Sequence, residues 1–294
     1  MKNIRNKLKG TGVAIVSPFK KSGAVDFNAY EKVMNHIITG GCEFIVVLGT
    51  TGESPTLSKQ EKKELIKFSV EKNAGRVPLV VGIGGNNTSE IIDSIHDTSF
   101  EGVDAVLSVS PYYNKPQQEG IFRHFKLISE ESPVPVILYT VPGRTGSNIS
   151  ASTTIRLAGE CKNIIGIKEA SGNIDQISQV LKNRPEGFLV LSGDDAITLS
   201  LLALGADGVI SVVANVFPKE FSDMVRFGLK GDFRKAREIH FRLLDFMNAL
   251  FADGSPAGIK AALEIKKLAG NFLRLPLVQV NNDTYSLINK LIKL

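Results

Sequence analysis

The sequence predicts an α/β protein, a TIM (β/α)8 barrel with a C-terminal helical extension. Three observations predict it. Eight short apolar runs recur along the chain: "GVAIVSPF" (12–19), "FIVVLGT" (44–50), "PLVVGIG" (78–84), "DAVLSVS" (104–110), "PVILYTV" (135–141), "IIGIKEA" (164–170), "FLVLSGD" (188–194) and "GVISVVA" (208–214). They return every 20 to 35 residues or so, the length of a βα unit. Each run is apolar nearly throughout, the mark of a parallel strand buried on both faces.

Each element follows from local grammar. The runs are rich in Val and Ile and bounded by Gly, Pro, Asn or Asp, which reads as strand. Amphipathic segments such as "DFNAYEKVMNHIITG" and "SKQEKKELIKFSVEKN" lie between them. The second opens with Ser58 and Glu61 at capping-box spacing. A weak echo, "GCEFIVV", "GVDAVLSV" and "GADGVISV", sets a turn just before a strand three times. A doubly wound open sheet is the rival, but "GVAIVSPFK" is followed by no GxGxxG. After about residue 217 no strand-like run appears. The expected division is 1–217 as barrel and catalytic domain, and 218–294 as the barrel-closing helix and helical extension.

Composition excludes several classes. The 294 residues are 43% hydrophobic and 22% charged, which is ordinary for a soluble globular chain. The net charge of +5 is spread along helical faces and no basic stretch is interleaved with aromatics, so nucleic-acid binding has little support. Cys42 and Cys161 form no CxxC, and no apolar run reaches the ~18 residues of a membrane span. A cytoplasmic enzyme with no membrane or nucleic-acid partner is expected.

A barrel of this kind carries its chemistry at the C-terminal ends of its strands. Those ends are Ser17-Pro18, "GTTGES" (49–54), "GIGGNN" (82–87), "SPYYNKP" (110–116), "YTVPGRTG" (139–146), "KEASG" (168–172), "SGDD" (192–195) and "ANVF" (214–217). The four histidines, His36, His96, His124 and His240, all fall in helical segments, and no cluster has metal-ligand spacing. Asp194 and Asp195 in the seventh loop argue against a phosphorylated substrate.

Lys168 stands out because it ends a dry strand. Burial favours a neutral lysine, and a neutral amine attacks a carbonyl to form a Schiff base. The structural alternative is a lysine that snorkels out or pairs with Glu169. Arg144 offers a fork for a carboxylate, Tyr139 offers a phenol for proton transfer, and "GTTGES" offers hydroxyls and backbone amides for an anion. Together they suit imine chemistry on a keto acid, with neither metal nor cofactor.

"GTTGES", "SPYYNKPQQEG", "YTVPGRTG", "GIKEASG" and "SGDD", in that order, resemble the motif series of the dihydrodipicolinate synthase family, from "GTGVAIVSPFK" to "SVVANVFP". The family sits among the pyruvate-dependent class I aldolases, with N-acetylneuraminate lyase. The resemblance implies that Lys168 forms an imine with pyruvate, whose enamine condenses with L-aspartate 4-semialdehyde on the route to diaminopimelate and lysine. It makes Thr51, Tyr139 and Tyr113 a proton relay, Thr50 the holder of the pyruvate carboxylate, and Arg144 the partner of the aldehyde's carboxylate. It makes Ile210 a backbone contact near pyruvate. It implies a homotetramer, a dimer of dimers in which Tyr113 enters the partner's site. An effector site for lysine corresponds to Ser54, Pro55, Lys59, Lys62, Asn86, Glu90 and Tyr112, with Lys59 and Lys62 standing where sensitive relatives carry histidine. Thr140 departs from the family's usual Asn. The alternatives are a sibling aldolase and a non-catalytic barrel that binds a keto acid.

Overall fold

The computed structural model of the protein describes residues 2–293. Its eight strands are β1 (Gly10–Ala14), β2 (Phe44–Val47), β3 (Leu79–Gly82), β4 (Ala105–Val109), β5 (Val136–Thr140), β6 (Ile164–Glu169), β7 (Leu189–Ser192) and β8 (Gly208–Ser211). They pair in sequence order, all parallel, and β1 pairs with β8 to close the barrel. This is a TIM barrel.

The helices start where the sequence supplies a cap. Asp26, Ser58, Asn87, Ser150 and Asn173 each accept a hydrogen bond from a backbone N–H in the first turn that follows. Ser58 and Glu61 form the complete capping box. The four histidines lie in helices Phe27–Thr39, Thr88–His96, Gln118–Glu131 and Phe233–Ala249.

One strand departs from the expected limits. The first run reads as strand from Gly12 to Phe19, yet β1 begins at Gly10 and ends at Ala14. Beyond it the ladder gives way to side-chain bonding. The buried Asn215 accepts a hydrogen bond from the Val16 N–H at 3.2 Å and donates to the Ala14 carbonyl at 2.9 Å.

The barrel interior is filled by side chains. Phe44, Val46, Val80, Leu107, Ile137, Leu191 and Ile210 belong to one buried cluster with Tyr139. Gly12 makes room for Phe44, because a Cβ there would sit 2.1 Å from its ring. Leu8, fully buried, joins this cluster from the end of the N-terminal helix Lys2–Lys7. Larger clusters lie between the strands and the surrounding helices.

The last quarter is helical. Helix Pro218–Leu229 packs on β1 and β8, and helices Phe233–Ala249, Ala257–Ile265 and Asn282–Leu291 follow. Helices Ala257–Ile265 and Asn282–Leu291 pack against each other. No helix among the described residues is long and apolar enough to cross a membrane.

Candidate active site

A cavity of about 420 Å³ opens at the C-terminal ends of the strands. Thr50, Thr51, Tyr139, Arg144 and Lys168 all line it. Residues far apart in the chain meet here because each follows or ends a strand.

Lys168 is 5% exposed, and Tyr139, its register partner on β5, is 6% exposed. The lysine Nζ lies 4.4 Å from the centre of the Tyr139 ring. Glu169 does not pair with it. Strand alternation turns Glu169 to the helix side, where its carboxylate accepts from the Ser171 N–H at 2.8 Å and the Gln176 amide at 3.0 Å. Burial raises the Glu169 carboxyl above its usual range. Among the described residues no carboxylate forms a salt bridge with Lys168. Gly193 frames the lysine from β7: a Cβ there would lie 3.0 Å from Lys168 Cε and 2.5 Å from Ala170 Cβ. "SGDD" thus supplies a glycine that leaves the lysine its space.

Thr50 and Thr51 sit on a 3₁₀ turn, Thr50–Gly52, that follows β2. Thr51 is buried and Thr50 is exposed to the opening. Ser17, at the first strand end, donates to the Gly52 carbonyl at 2.7 Å and fixes the turn. Arg144 stands on a short helix, Pro142–Thr145, at the rim, exposed and free to meet an anion.

The two carboxylates of "SGDD" have different fates. Asp194 lines the cavity, whereas Asp195 is buried beside it and accepts from the Val212 and Val213 amides. Burial pushes the Asp195 carboxyl up to about 6. Asp195 thus ties the seventh loop to the eighth.

Other expected residues lie elsewhere. Ile210 is 1% exposed within the barrel interior, and Val212, two residues on, is the β8-side residue that lines the cavity. Tyr113 is 88% exposed, in the left-handed backbone region at φ +74°, and does not line its own protomer's cavity. Ser54 and Pro55 line an adjoining cavity of about 320 Å³ that shares Thr50, Tyr139 and Arg144 with the first. Lys59, Lys62, Asn86 and Glu90 line a third of about 500 Å³, and Tyr112 borders both. The expected effector residues therefore divide between two hollows. Asn86 donates to the Tyr112 carbonyl at 3.1 Å across the gap. Burial, and then Lys59, lower the Lys62 pKa.

Sequence reasoning missed the roof. Met247, Asn248, Phe251, Ala252 and Ser255 line the cavity from helix Phe233–Ala249 and the turn after it. The available signal was the Asp253–Gly254–Ser255–Pro256 turn cluster, but its placement over the barrel mouth is a tertiary fact.

The dihydrodipicolinate synthetase family profile matches residues 7–294. The chain belongs to the dihydrodipicolinate synthetase family. The 4-hydroxy-tetrahydrodipicolinate synthase of Flavobacterium psychrophilum is 52% identical over 274 residues, covering 93% of this chain and 94% of that protein. The crystal structure of dihydrodipicolinate synthase from Aquifex aeolicus matches with a TM-score of 0.94 at 42% identity, covering 97% of each chain. That of the Cyanidioschyzon merolae enzyme with lysine bound matches with a TM-score of 0.94 at 37% identity, covering 98% of each chain. Thr140, where the family resemblance led to Asn, points away from the cavity. It faces the helix layer, donates to Asn148 at 3.0 Å and accepts from the Ile149 N–H at 3.1 Å.

Proposed function

We propose that this chain condenses pyruvate with L-aspartate 4-semialdehyde to give 4-hydroxy-tetrahydrodipicolinate, in diaminopimelate and lysine biosynthesis. The observation that carries the reading is the buried Lys168 beside the Tyr139 ring, in one cavity with Thr50, Thr51 and Arg144. The Lys168 amine adds to the pyruvate ketone and water leaves, giving an imine. Loss of a methyl proton converts it to an enamine, whose carbon attacks the aldehyde and forms the new C–C bond. The substrate's own amine then attacks the imine carbon, closes the ring and expels the lysine.

Thr50 holds the pyruvate carboxylate, and Arg144 pairs with the carboxylate of the aldehyde at the rim. The family resemblance assigns the Ile210 backbone a contact with pyruvate, beneath the Val212 that lines the cavity. Thr51, Tyr139 and the partner subunit's Tyr113 pass protons. The exposure of Tyr113 supports that division, since its side chain stands clear of the cavity in its own chain. The assembly is a homotetramer whose smallest complete unit is a dimer. The enzyme works in the cytoplasm, where its buried free cysteines, Cys42 and Cys161, stay reduced.

Lysine inhibition is weak or absent. Lys59 and Lys62 bring two cations into the hollow that Glu90, Asn86 and Tyr112 line, against the ammonium of the effector. A coupled assay with both substrates, run with and without L-lysine, tests the reading. Turnover that requires L-aspartate 4-semialdehyde supports it. Turnover only with a sugar-derived aldehyde assigns a sibling aldolase, and imine formation without any turnover assigns a binding barrel.

A further inference from the structure

We propose that the buried ion pair between Glu53 and Lys260 is a strut that fixes the Thr50–Thr51 turn against the C-terminal roof of the cavity. Both are then positioning residues for pyruvate binding and condensation. The inference rests on the role given above to Thr50 and Thr51.

Glu53 ends the turn that carries the two threonines. Its N–H donates to the Thr50 carbonyl at 3.1 Å, and its backbone is left-handed, at φ +51°. A non-glycine residue holds that conformation where the surroundings over-determine it. Here the surroundings are the side chain's partners. The Glu53 carboxylate, on a side chain 0% exposed, meets the Lys260 ammonium, on a side chain 1% exposed. It also accepts from the Arg274 N–H at 3.3 Å.

Lys260 belongs to helix Ala257–Ile265, which begins just after the roof residues Phe251, Ala252 and Ser255. Its Nζ also donates to the Phe272 carbonyl at 2.8 Å and lies 4.1 Å from the Phe19 ring centre. The Arg274 guanidinium covers the same ring at 4.4 Å and donates to the Gly23 and Thr56 carbonyls. The turn that carries Thr50 and Thr51 thus meets the helix that follows the roof at one pair of charges, with Phe19 against the ammonium.

Stability alone does not account for the pair. A sealed ion pair loses hydration that its attraction barely repays, and well-packed apolar residues commonly do as well. What the pair supplies is a fixed separation and direction between two segments more than two hundred residues apart in the chain. Nor is Lys260 a second imine lysine, because it does not line the cavity that holds Lys168.

The test uses Glu53→Gln, Lys260→Met, the double variant and Glu53→Asp. Each single charge removal leaves its partner buried and unpaired, so both should lower the melting temperature. The double variant removes both charges at similar volume and should recover it. Its pyruvate KM should still rise and its kcat fall, by about ten- to a hundredfold in kcat/KM, as expected for a small misplacement of binding groups. Borohydride trapping on Lys168 should persist at saturating pyruvate. Wild-type kcat and KM in the double variant would overturn the strut. Should the double variant not fold, Glu53→Asp decides: it keeps the charge but shortens the reach, and unchanged kinetic constants there would also overturn it. Wild-type protein that pyruvate fails to trap on Lys168 would instead refute the functional reading.

Discussion

Lys168 is placed by its neighbours as much as by its strand. Tyr139 covers it from β5, Gly193 leaves it room from β7, and Glu169 is turned away by strand alternation. The sequence made the lysine conspicuous, but adjacency alone left pairing with Glu169 open, and the period of two decides it. In the proposed reaction Arg144 has a separable task at the rim. Arg144→Ala should leave pyruvate trapping intact while cutting kcat/KM for L-aspartate 4-semialdehyde. A charge-assisted hydrogen bond is worth about 1.5–3 kcal/mol, or about one to two decades. Equal loss in both measurements would contradict that division of labour.

At the scale of elements, helix Lys59–Asn73 joins local capping to a long-range clamp. Glu61 completes the capping box with Ser58 and also receives the Arg274 guanidinium. That guanidinium is the main reason its carboxyl is held down at about 2, below the ordinary 4.5. The stabilisation is present above the unfolded value near 4.5 and is lost as pH falls toward 2. Glu61→Gln keeps a capping-box side chain, so it isolates the charge. Melting curves should show the variant less stable than wild type at pH 7, with the gap closing between pH 4.5 and 2. A gap that stayed constant with pH would sink the assignment. The capping box was legible because it spans three residues. The Arg274 partner was not, because it comes from 213 residues away.

For the whole molecule, strand ends were legible and the roof was not. Continuous apolar runs bounded by turn residues announce buried parallel strands, and barrel closure then places their ends together. Nothing local places Asn248 or Ser255 over the mouth, since that depends on how the last helices fold back. β1 was misjudged at its end because Asn215, a distant side chain, takes over its hydrogen bonding. The exposed Tyr113 belongs to this scale too. If the proposed shared site is right, mixing inactive Tyr113→Phe and Lys168→Ala chains should restore part of the activity, because one cavity of a mixed dimer would hold both native groups. A fully active monomer in sedimentation would refute the shared site.

Everything proposed for the cavity depends on Lys168 as the lysine that carries the imine. Purified wild-type protein and Lys168→Ala should be treated with pyruvate and borohydride, digested and mapped by mass spectrometry. One reduced pyruvate adduct is expected, on Lys168, absent from the variant along with nearly all turnover. An adduct on Lys260 or any other lysine, or one that survives in Lys168→Ala, would contradict it.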